Sequence, residues 1–381
     1  MIIARNTLSS RITESLEIFP VCAILGPRQC GKTTLANFYV QQLNKNIKTY
    51  FFDLEDPAHI DQLQNPKIAL DSLSGLIIID EIQRQPELFP YLRVLADYSD
   101  KQFLILGSAS GSLLRQSSES LAGRIDYIEL TPFNLIEVDN IKKLWLRGGF
   151  PKSYLAKNYE QSLKWRKNYI TSFIERDLPA LGVSLNSTNM RRLWMMLAHC
   201  HGQLLNYSDL GRSLGITDMT VRRYMEILEQ TFMIRLLQPW HENIAKRQVK
   251  APKIYIRDSG LLHSLLGIGE QDWYVHPKRG ISFEGFAIEE IIRKFTYESE
   301  CFFWRTQVGA ELDLLIIKNG KLYGFEIKYS DAPNITKSMH NALADLKLEH
   351  LYVIIPGNNS YTKTERVSAI GIQTLAKFDL P

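Results

Sequence analysis

No uninterrupted apolar run in this 381-residue chain approaches the roughly 20 residues that span a bilayer. The first 19 residues alternate charged and apolar side chains and form no signal-peptide core. A cytoplasmic chain with no membrane partner is therefore expected. Cysteine is scarce: Cys22, Cys30, Cys200 and Cys301 are widely separated, which argues against CxxC zinc or redox motifs and against a disulfide framework. Internal repeats and low-complexity stretches are absent as well. A composition of 45% hydrophobic and 23% charged residues excludes a disordered or collagen-like chain. The length is too great for one ordinary core, so two or three domains are expected.

Net charge is only +4, too small by itself to imply nucleic acid, but it is unevenly placed. Residues 160–260 hold 15 Lys/Arg against 9 Asp/Glu, a local excess of +6. Ahead of that region, short β-branched runs at 21–25, 50–54, 76–80, 103–106 and 127–130 alternate with helical patterns. Such alternation points to a parallel α/β sheet. Residues 141–200 carry apolar side chains at helical spacing, and 301–306, 311–317, 321–328 and 351–355 read as strands of a second α/β region.

The most specific signal is Gly26-Pro27-Arg28-Gln29-Cys30-Gly31-Lys32-Thr33, which matches GxxxxGK[ST] between an apolar strand and a helix start. Its glycines let successive N–H groups face phosphate oxygens, and the helix N-terminus, reaching on to Thr34, adds positive potential. Lys32 is expected on the outer phosphates and Thr33 on Mg²⁺. The run Leu76-Ile77-Ile78-Ile79-Asp80-Glu81 follows, with Asp80 placed 48 residues beyond Lys32. Asp80 suits the Mg²⁺ shell, and Glu81 suits a general base for the attacking water. A third apolar strand ends in Gly107-Ser108, similar to the strand that carries the γ-phosphate sensor in AAA+-like ATPases, with Ser108 as the candidate and an ordinary Gly-Ser turn as the competing reading. Arg124, in Leu121-Ala122-Gly123-Arg124, is open to two readings: an arginine finger acting in cis or from a neighbouring subunit, or a structural salt bridge.

Together the phosphate loop, LIIIDEIQ, LILGSAS and LAGRIDYIELTPF resemble a family of predicted bacterial and archaeal AAA+-type ATPases. Gly148-Gly149-Phe150-Pro151 and Glu175-Arg176-Asp177-Leu178 resemble further recurring segments of that family. The resemblance spans roughly residues 15–330 and implies ATP and Mg²⁺ as cofactors. It also implies a C-terminal domain of unassigned function.

Residues 206–217 read as helix, glycine turn and new helix start, followed by the helix 218–229 and a strand pair at 233–238 and 253–257. This pattern looks like a winged helix. Met219, Tyr224, Ile227 and Leu228 are expected to pack, and Thr220, Arg222 and Arg223 to lie on a recognition helix. Lys246, Arg247, Lys250 and Lys253 would sit on or near the wing, facing phosphates. A domain connector or protein contact is the competing reading.

In the tail, Phe283, Phe286, Ala287, Ile291, Ile292 and Phe295 form one helical stripe, and Glu284 lies outside it. Asp313 and Glu326-Ile327-Lys328 occupy two strands joined by a turn at Asn319-Gly320. Alternation puts Glu326 and Lys328 on one face, where Asp313 can meet them. This resembles the PD-(D/E)xK nuclease core: Glu284, Asp313 and Glu326 as metal ligands, with Asp313, Glu326 and Lys328 at the centre of catalysis. A surface ion-pair cluster is the plain alternative.

The expected architecture is α/β: a P-loop NTPase parallel sheet, a helical and winged-helix region, and a small α/β nuclease-like C-terminal domain. Boundaries are expected at 1–150, 151–275 and 276–381. The expected function is Mg²⁺-dependent ATP hydrolysis coupled to DNA binding and DNA cleavage. A nucleotide-dependent switch, binding protein partners or a second copy of itself and carrying an inactive nuclease-like fold, is one alternative; a DNA-binding ATPase without nuclease activity is the other.

Overall fold

Alternation along five short strands builds the first sheet. A computed structural model describes residues 3–108, 119–180, 186–241, 250–295 and 300–381. Its contacts divide the chain into two compact units, Met1–Pro132 with Gln230–Phe232, and Phe133–Glu229 with Met233–Pro381. In the first unit the strands are β1 (Val21–Leu25), β2 (Thr49–Asp53), β3 (Leu76–Asp80), β4 (Gln102–Gly107) and β5 (Ile125–Glu129). All pair in parallel, in the order β2-β3-β4-β1-β5. Val21, Ala23, Ile77, Ile79, Phe103 and Ile105 enter one apolar layer with Phe89 and Leu92 of the helix Phe89–Tyr98. Cys22, Ile24, Leu76, Ile78, Leu104 and Leu106 enter the other, against helices Asn6–Ile18 and Lys32–Gln42. Both faces are therefore covered, which explains why these strands read as continuous apolar runs. This is the expected P-loop α/β fold.

The second unit begins with helices and ends in a sheet. Helices Tyr159–Ser172, Ser187–His199, Tyr207–Leu214 and Asp218–Gln230 precede an antiparallel hairpin of β6 (Ile234–Leu237) and β7 (Lys253–Ile256). Leu204 bridges to Lys253 on the other side of β7. Trp194, Tyr169, Val221, Tyr224 and Leu228 share a core with Ile254 and Ile256. Met219, expected to pack, is instead 79% exposed. It lies in the first turn of its helix, on the face opposite the stripe that Val221, Tyr224, Met225 and Leu228 bury. Lys246 and Arg247 lie outside the described residues.

The long helix Arg279–Phe295 leads to a six-stranded sheet. Its strands are β8 (Cys301–Arg305), β9 (Glu311–Lys318), β10 (Lys321–Ile327), β11 (His350–Ile355), β12 (Ser360–Thr364) and β13 (Val367–Gly371), in the order β12-β13-β11-β10-β9-β8. β8, β9 and β10 are antiparallel; β11 joins β10 in parallel, after the crossover helix Lys337–Asp345. Met339 and Ala342 of that helix pack on Leu312, Leu315 and Val353. The chain leaving β6 runs onto β8: Phe303 N–H donates to the Gln238 carbonyl at 3.0 Å, and Trp240 N–H to Phe303 O at 2.7 Å. This junction ties the hairpin to the sheet and fixes where the polar face of β7 points.

Candidate active site

The phosphate loop follows β1, where the strand order places it beside the end of β4: Gly26 N–H donates to Gly107 O at 3.3 Å. A Cβ on Gly26 would lie 2.1 Å from the Leu130 carbonyl oxygen, so only glycine lets the loop leave the sheet there. Gly31, at φ 102°, makes the left-handed turn into the helix Lys32–Gln42. Lys32 is buried, and its Nζ donates to the carbonyls of Gly26 and Pro27 at 3.0 and 3.1 Å, inside the loop itself. Arg28 reaches outward to Glu55 at 2.5 Å. Gln29 and Thr34 are exposed, and Cys30 is buried under the loop, where burial pushes its thiol up and Lys32 pulls the other way.

Thr33 Oγ1 donates to Asp80 Oδ2 at 2.6 Å, so the two expected Mg²⁺ residues touch. Asp80 is buried at the end of β3; burial raises its carboxyl, and the Thr33 hydroxyl offsets part of that. Its Oδ1 accepts from Glu81 N–H at 2.9 Å. Glu81 itself adopts a left-handed backbone (φ 55°), an uncommon conformation for a residue with a side chain. Its Oε2 accepts from Ser108 Oγ at 3.2 Å and from Gln83 Nε2, which also meets Ser108 Oγ at 3.0 Å. Ser108 is therefore a neighbour of Glu81. Paired hydroxyl and carboxylate beside a helix N-terminus fit the ligand chemistry of a nucleotide-bound Mg²⁺.

Arg124 is elsewhere. It precedes β5, and its carbonyl accepts from Val21 N–H, at the start of β1. The loop follows the far end of β1, roughly 13 Å away at about 3.3 Å per residue. Its guanidinium forks onto Asp97, with Nη2 3.0 Å from Oδ2. The salt-bridge reading describes this geometry, and among the described residues no contact links Arg124 to the loop of its own chain.

In the second unit the expected carboxylates do converge, with company. Asp313 Oδ2 accepts from Ile327 N–H at 2.9 Å, and Lys328 Nζ donates to Glu326 Oε1 at 2.6 Å. Glu326 Oε2 is buried without a hydrogen-bond partner among the described residues. Glu284 accepts from Tyr255 OH at 2.7 Å. Lys253 Nζ lies 3.9 Å from Glu284, 3.8 Å from Asp313 and in contact with Glu311. Arg305 reaches the other Glu311 oxygen at 3.4 Å. Burial, then the Asp313 charge, pushes Glu284 up to about 8 and Glu326 up to about 7. Burial alone would lower Lys253, but Asp313, Glu284 and Glu311 hold it above its ordinary value. Among the described residues no group of three or more His, Cys, Asp or Glu side chains is arranged to hold a metal ion. The cluster as built therefore does not fit a divalent cation, because an ammonium already stands among its carboxylates.

Sequence and fold comparisons agree with the first unit. Residues 19–138 match the AAA domain family, 138–272 match a Domain of unknown function (DUF8612), and 279–375 match a Domain of unknown function (DUF4143). Two mycobacterial relatives, Mb2031c of Mycobacterium bovis and Rv2008c of Mycobacterium tuberculosis, are each 45% identical over 375 residues, 97% of this chain and 84% of theirs. The chain belongs to their family. A solved structure, the Walker-type ATPase PABY2304 of Pyrococcus abyssi, shares the fold at a TM-score of 0.50 and 15% identity, over 69% of this chain and 96% of that one. The family thus carries a P-loop ATPase domain of AAA type, which supports nucleotide binding and hydrolysis. No helix among the described residues is long and apolar enough to cross a membrane.

Sequence reading missed Lys253 as a member of the C-terminal cluster and assigned it to the wing, facing phosphates. Its side chain is 3% exposed, so that assignment fails. The signal was in β7: Lys253, Tyr255 and Arg257 alternate with Ile254 and Ile256. The isoleucines fill the helical core, and the polar set meets acids: Lys253 and Tyr255 reach Glu284, and Arg257 Nε reaches Glu289 at 3.2 Å. Burial alone would raise Glu289, but Arg235, Arg257 and Arg293 hold it well below the carboxylate range.

Proposed function

We propose that this protein is a Mg²⁺-dependent ATP hydrolase whose turnover is coupled to DNA binding. The observation that carries the ATPase half is the contact of Thr33 with Asp80, next to Glu81, at the mouth of the Gly26–Thr33 loop. Loop N–H groups and Lys32 hold the phosphates; Lys32 exchanges its two carbonyl partners for phosphate oxygens. Thr33 and Asp80 would hold Mg²⁺, which would supply positive charge against the phosphates. Glu81 accepts the proton of the attacking water, once its carboxylate is freed from Gln83 and Ser108. Arg28, Gln29, Cys30 and Thr34 shape the loop around the nucleotide.

The DNA half rests on the helix Asp218–Gln230, which follows a capped helix and a glycine turn and precedes the hairpin, the element order of a winged helix. Arg222 and Arg223 are exposed on it, with Arg222 4.0 Å above the Tyr207 ring, and Lys250 is exposed near the hairpin. The three-part division at 1–150, 151–275 and 276–381 belongs to this reading: ATPase, DNA contact and nuclease-like sheet. A second reading, a nucleotide switch acting on a protein partner or second copy, draws support from Glu81 being held by Gln83 and Ser108. A glutamate so held favours slow basal turnover.

The test measures phosphate release by the full chain with Mg²⁺ and ATP, with and without duplex DNA. The wild type turns over, DNA accelerates it, and an Arg222→Ala/Arg223→Ala variant loses the acceleration. Turnover by Lys32→Ala equal to wild type would overturn the ATPase reading. Turnover indifferent to DNA would favour the switch.

A further inference from the structure

We propose that the Lys253 ammonium is the resident cation of the C-terminal carboxylate cluster and closes it to divalent metal ions. Among the described residues, Lys253 meets three packed elements through charged or aromatic groups. These are Glu284 on the helix Arg279–Phe295, Glu311 and Asp313 on β9, and the Phe303 ring on β8 at 5.6 Å. It therefore stands where a metal would have to stand to touch Glu284 and Asp313 together. The second lysine completes the compensation: Lys328 holds Glu326, and Arg305 holds Glu311 from the other side. Four acidic side chains thus face three cations, of which Lys253 is buried, and a dication entering between Glu284 and Asp313 would meet its ammonium.

The position of Lys253 is enforced by the backbone. Lys253 pairs with Leu237 across the hairpin and with Leu204 on the opposite side, and Leu205 N–H donates to Pro252 O at 2.9 Å. Its strand is thus bonded on both edges. Withdrawing the side chain would also take from buried Asp313 the ammonium that faces it, which is unfavourable. The consequence is that the nuclease-like sheet performs no metal-dependent phosphodiester cleavage. Its acids and lysines act as an ionic weld between the hairpin and the sheet. The inference goes beyond the ATPase reading and does not depend on it, since none of its residues belongs to the phosphate loop.

Mn²⁺ titration of the nucleotide-free full-length protein, followed by the loss of the free-ion electron paramagnetic resonance signal, tests it. The wild type and Asp313→Asn are expected to bind Mn²⁺ alike, because the cluster contributes no site. Lys253→Met is expected to gain one Mn²⁺ per chain, about tenfold or more tighter than anything in the wild type, and Mn²⁺ should raise its melting temperature. Lys253→Arg, which keeps the cation, should gain nothing. The proposal is overturned by a wild-type Mn²⁺ site that Asp313→Asn removes, and equally by a folded Lys253→Met that gains none. If Lys253→Met does not fold, the comparison of wild type with Asp313→Asn decides alone. A Lys32→Ala background should leave these results unchanged, which separates this test from that of the ATPase.

Discussion

Two sites in this protein combine buried carboxylates with lysine, and they use the lysine in opposite ways. Among the described residues, Lys32 in the phosphate loop is bound only to main-chain carbonyls, while Asp80 and Glu81 take hydroxyl, amide and N–H donors. In the C-terminal cluster, Lys253 and Lys328 sit directly on the carboxylates. Neutral donors can be displaced at modest cost, because each net hydrogen bond is worth only about 1 kcal/mol. A buried ion pair resists, since breaking it strands a charge at roughly 3–5 kcal/mol. The first arrangement leaves its ligand groups available; the second consumes them. Residue type alone does not distinguish the two, and the partner of the ammonium does.

The comparison breaks most sharply at Lys32. Lys32→Ala is expected to lower ATP turnover by about 10²-fold or more, the scale of losing a charged donor at a developing anion. Steady-state phosphate release checks it, with the Asp313→Asn variant expected to match wild type in the same assay. Glu81→Gln should lower turnover by about 10²–10⁴-fold while nucleotide affinity, read by fluorescent-nucleotide titration, stays near wild type. Equal loss of affinity would place Glu81 in binding instead of proton transfer.

The C-terminal cluster has a pH signature of definite sign. Glu284 and Glu326 are raised to about 8 and about 7 from 4.5, so the folded protein holds protons that the unfolded chain has released. Stability linked to them is fully present below 4.5 and is lost as pH rises through 7 and 8. The melting temperature should therefore fall with rising pH across that window, and Glu284→Gln should flatten the fall. A slope identical in the variant would contradict the burial argument. The smallest effect belongs to Arg124→Ala: with its guanidinium on exposed Asp97, turnover per chain in dilute protein should stay within about twofold of wild type. A large loss would mean that a neighbouring copy carries Arg124 to the phosphate loop.

Much of this was legible in the chain because the determinants are contiguous. Gly26 to Thr33 is one unbroken motif, and the run ending in Asp80-Glu81 announces its own strand, so both halves of the proposed ATPase site could be named. The hairpin carrying Asp313 and Glu326 was equally local. β12 was not expected, since Ser360–Thr364 is a largely exposed polar strand without an apolar alternation. Arg124 could have been placed from sequence: a residue before a parallel strand lies at the opposite end of the sheet from a loop that follows one. Lys253 was harder. Its alternation with Ile254 and Ile256 marks a polar face, but only the junction of Gln238 and Trp240 with Phe303 reveals which acids that face meets.

The scarcity of long apolar runs, cysteine pairs and net charge bounded the chain from the outset, and local motifs then determined the parallel sheet, the phosphate-loop motif and the acids beside it. Those features depend on neighbours within a few residues, where backbone geometry and side-chain spacing leave little freedom. Tertiary structure alone decided which cation each carboxylate cluster keeps. Lys253 and Asp313 are 60 residues apart, and they meet because a strand bonded on both edges carries the ammonium into the acids.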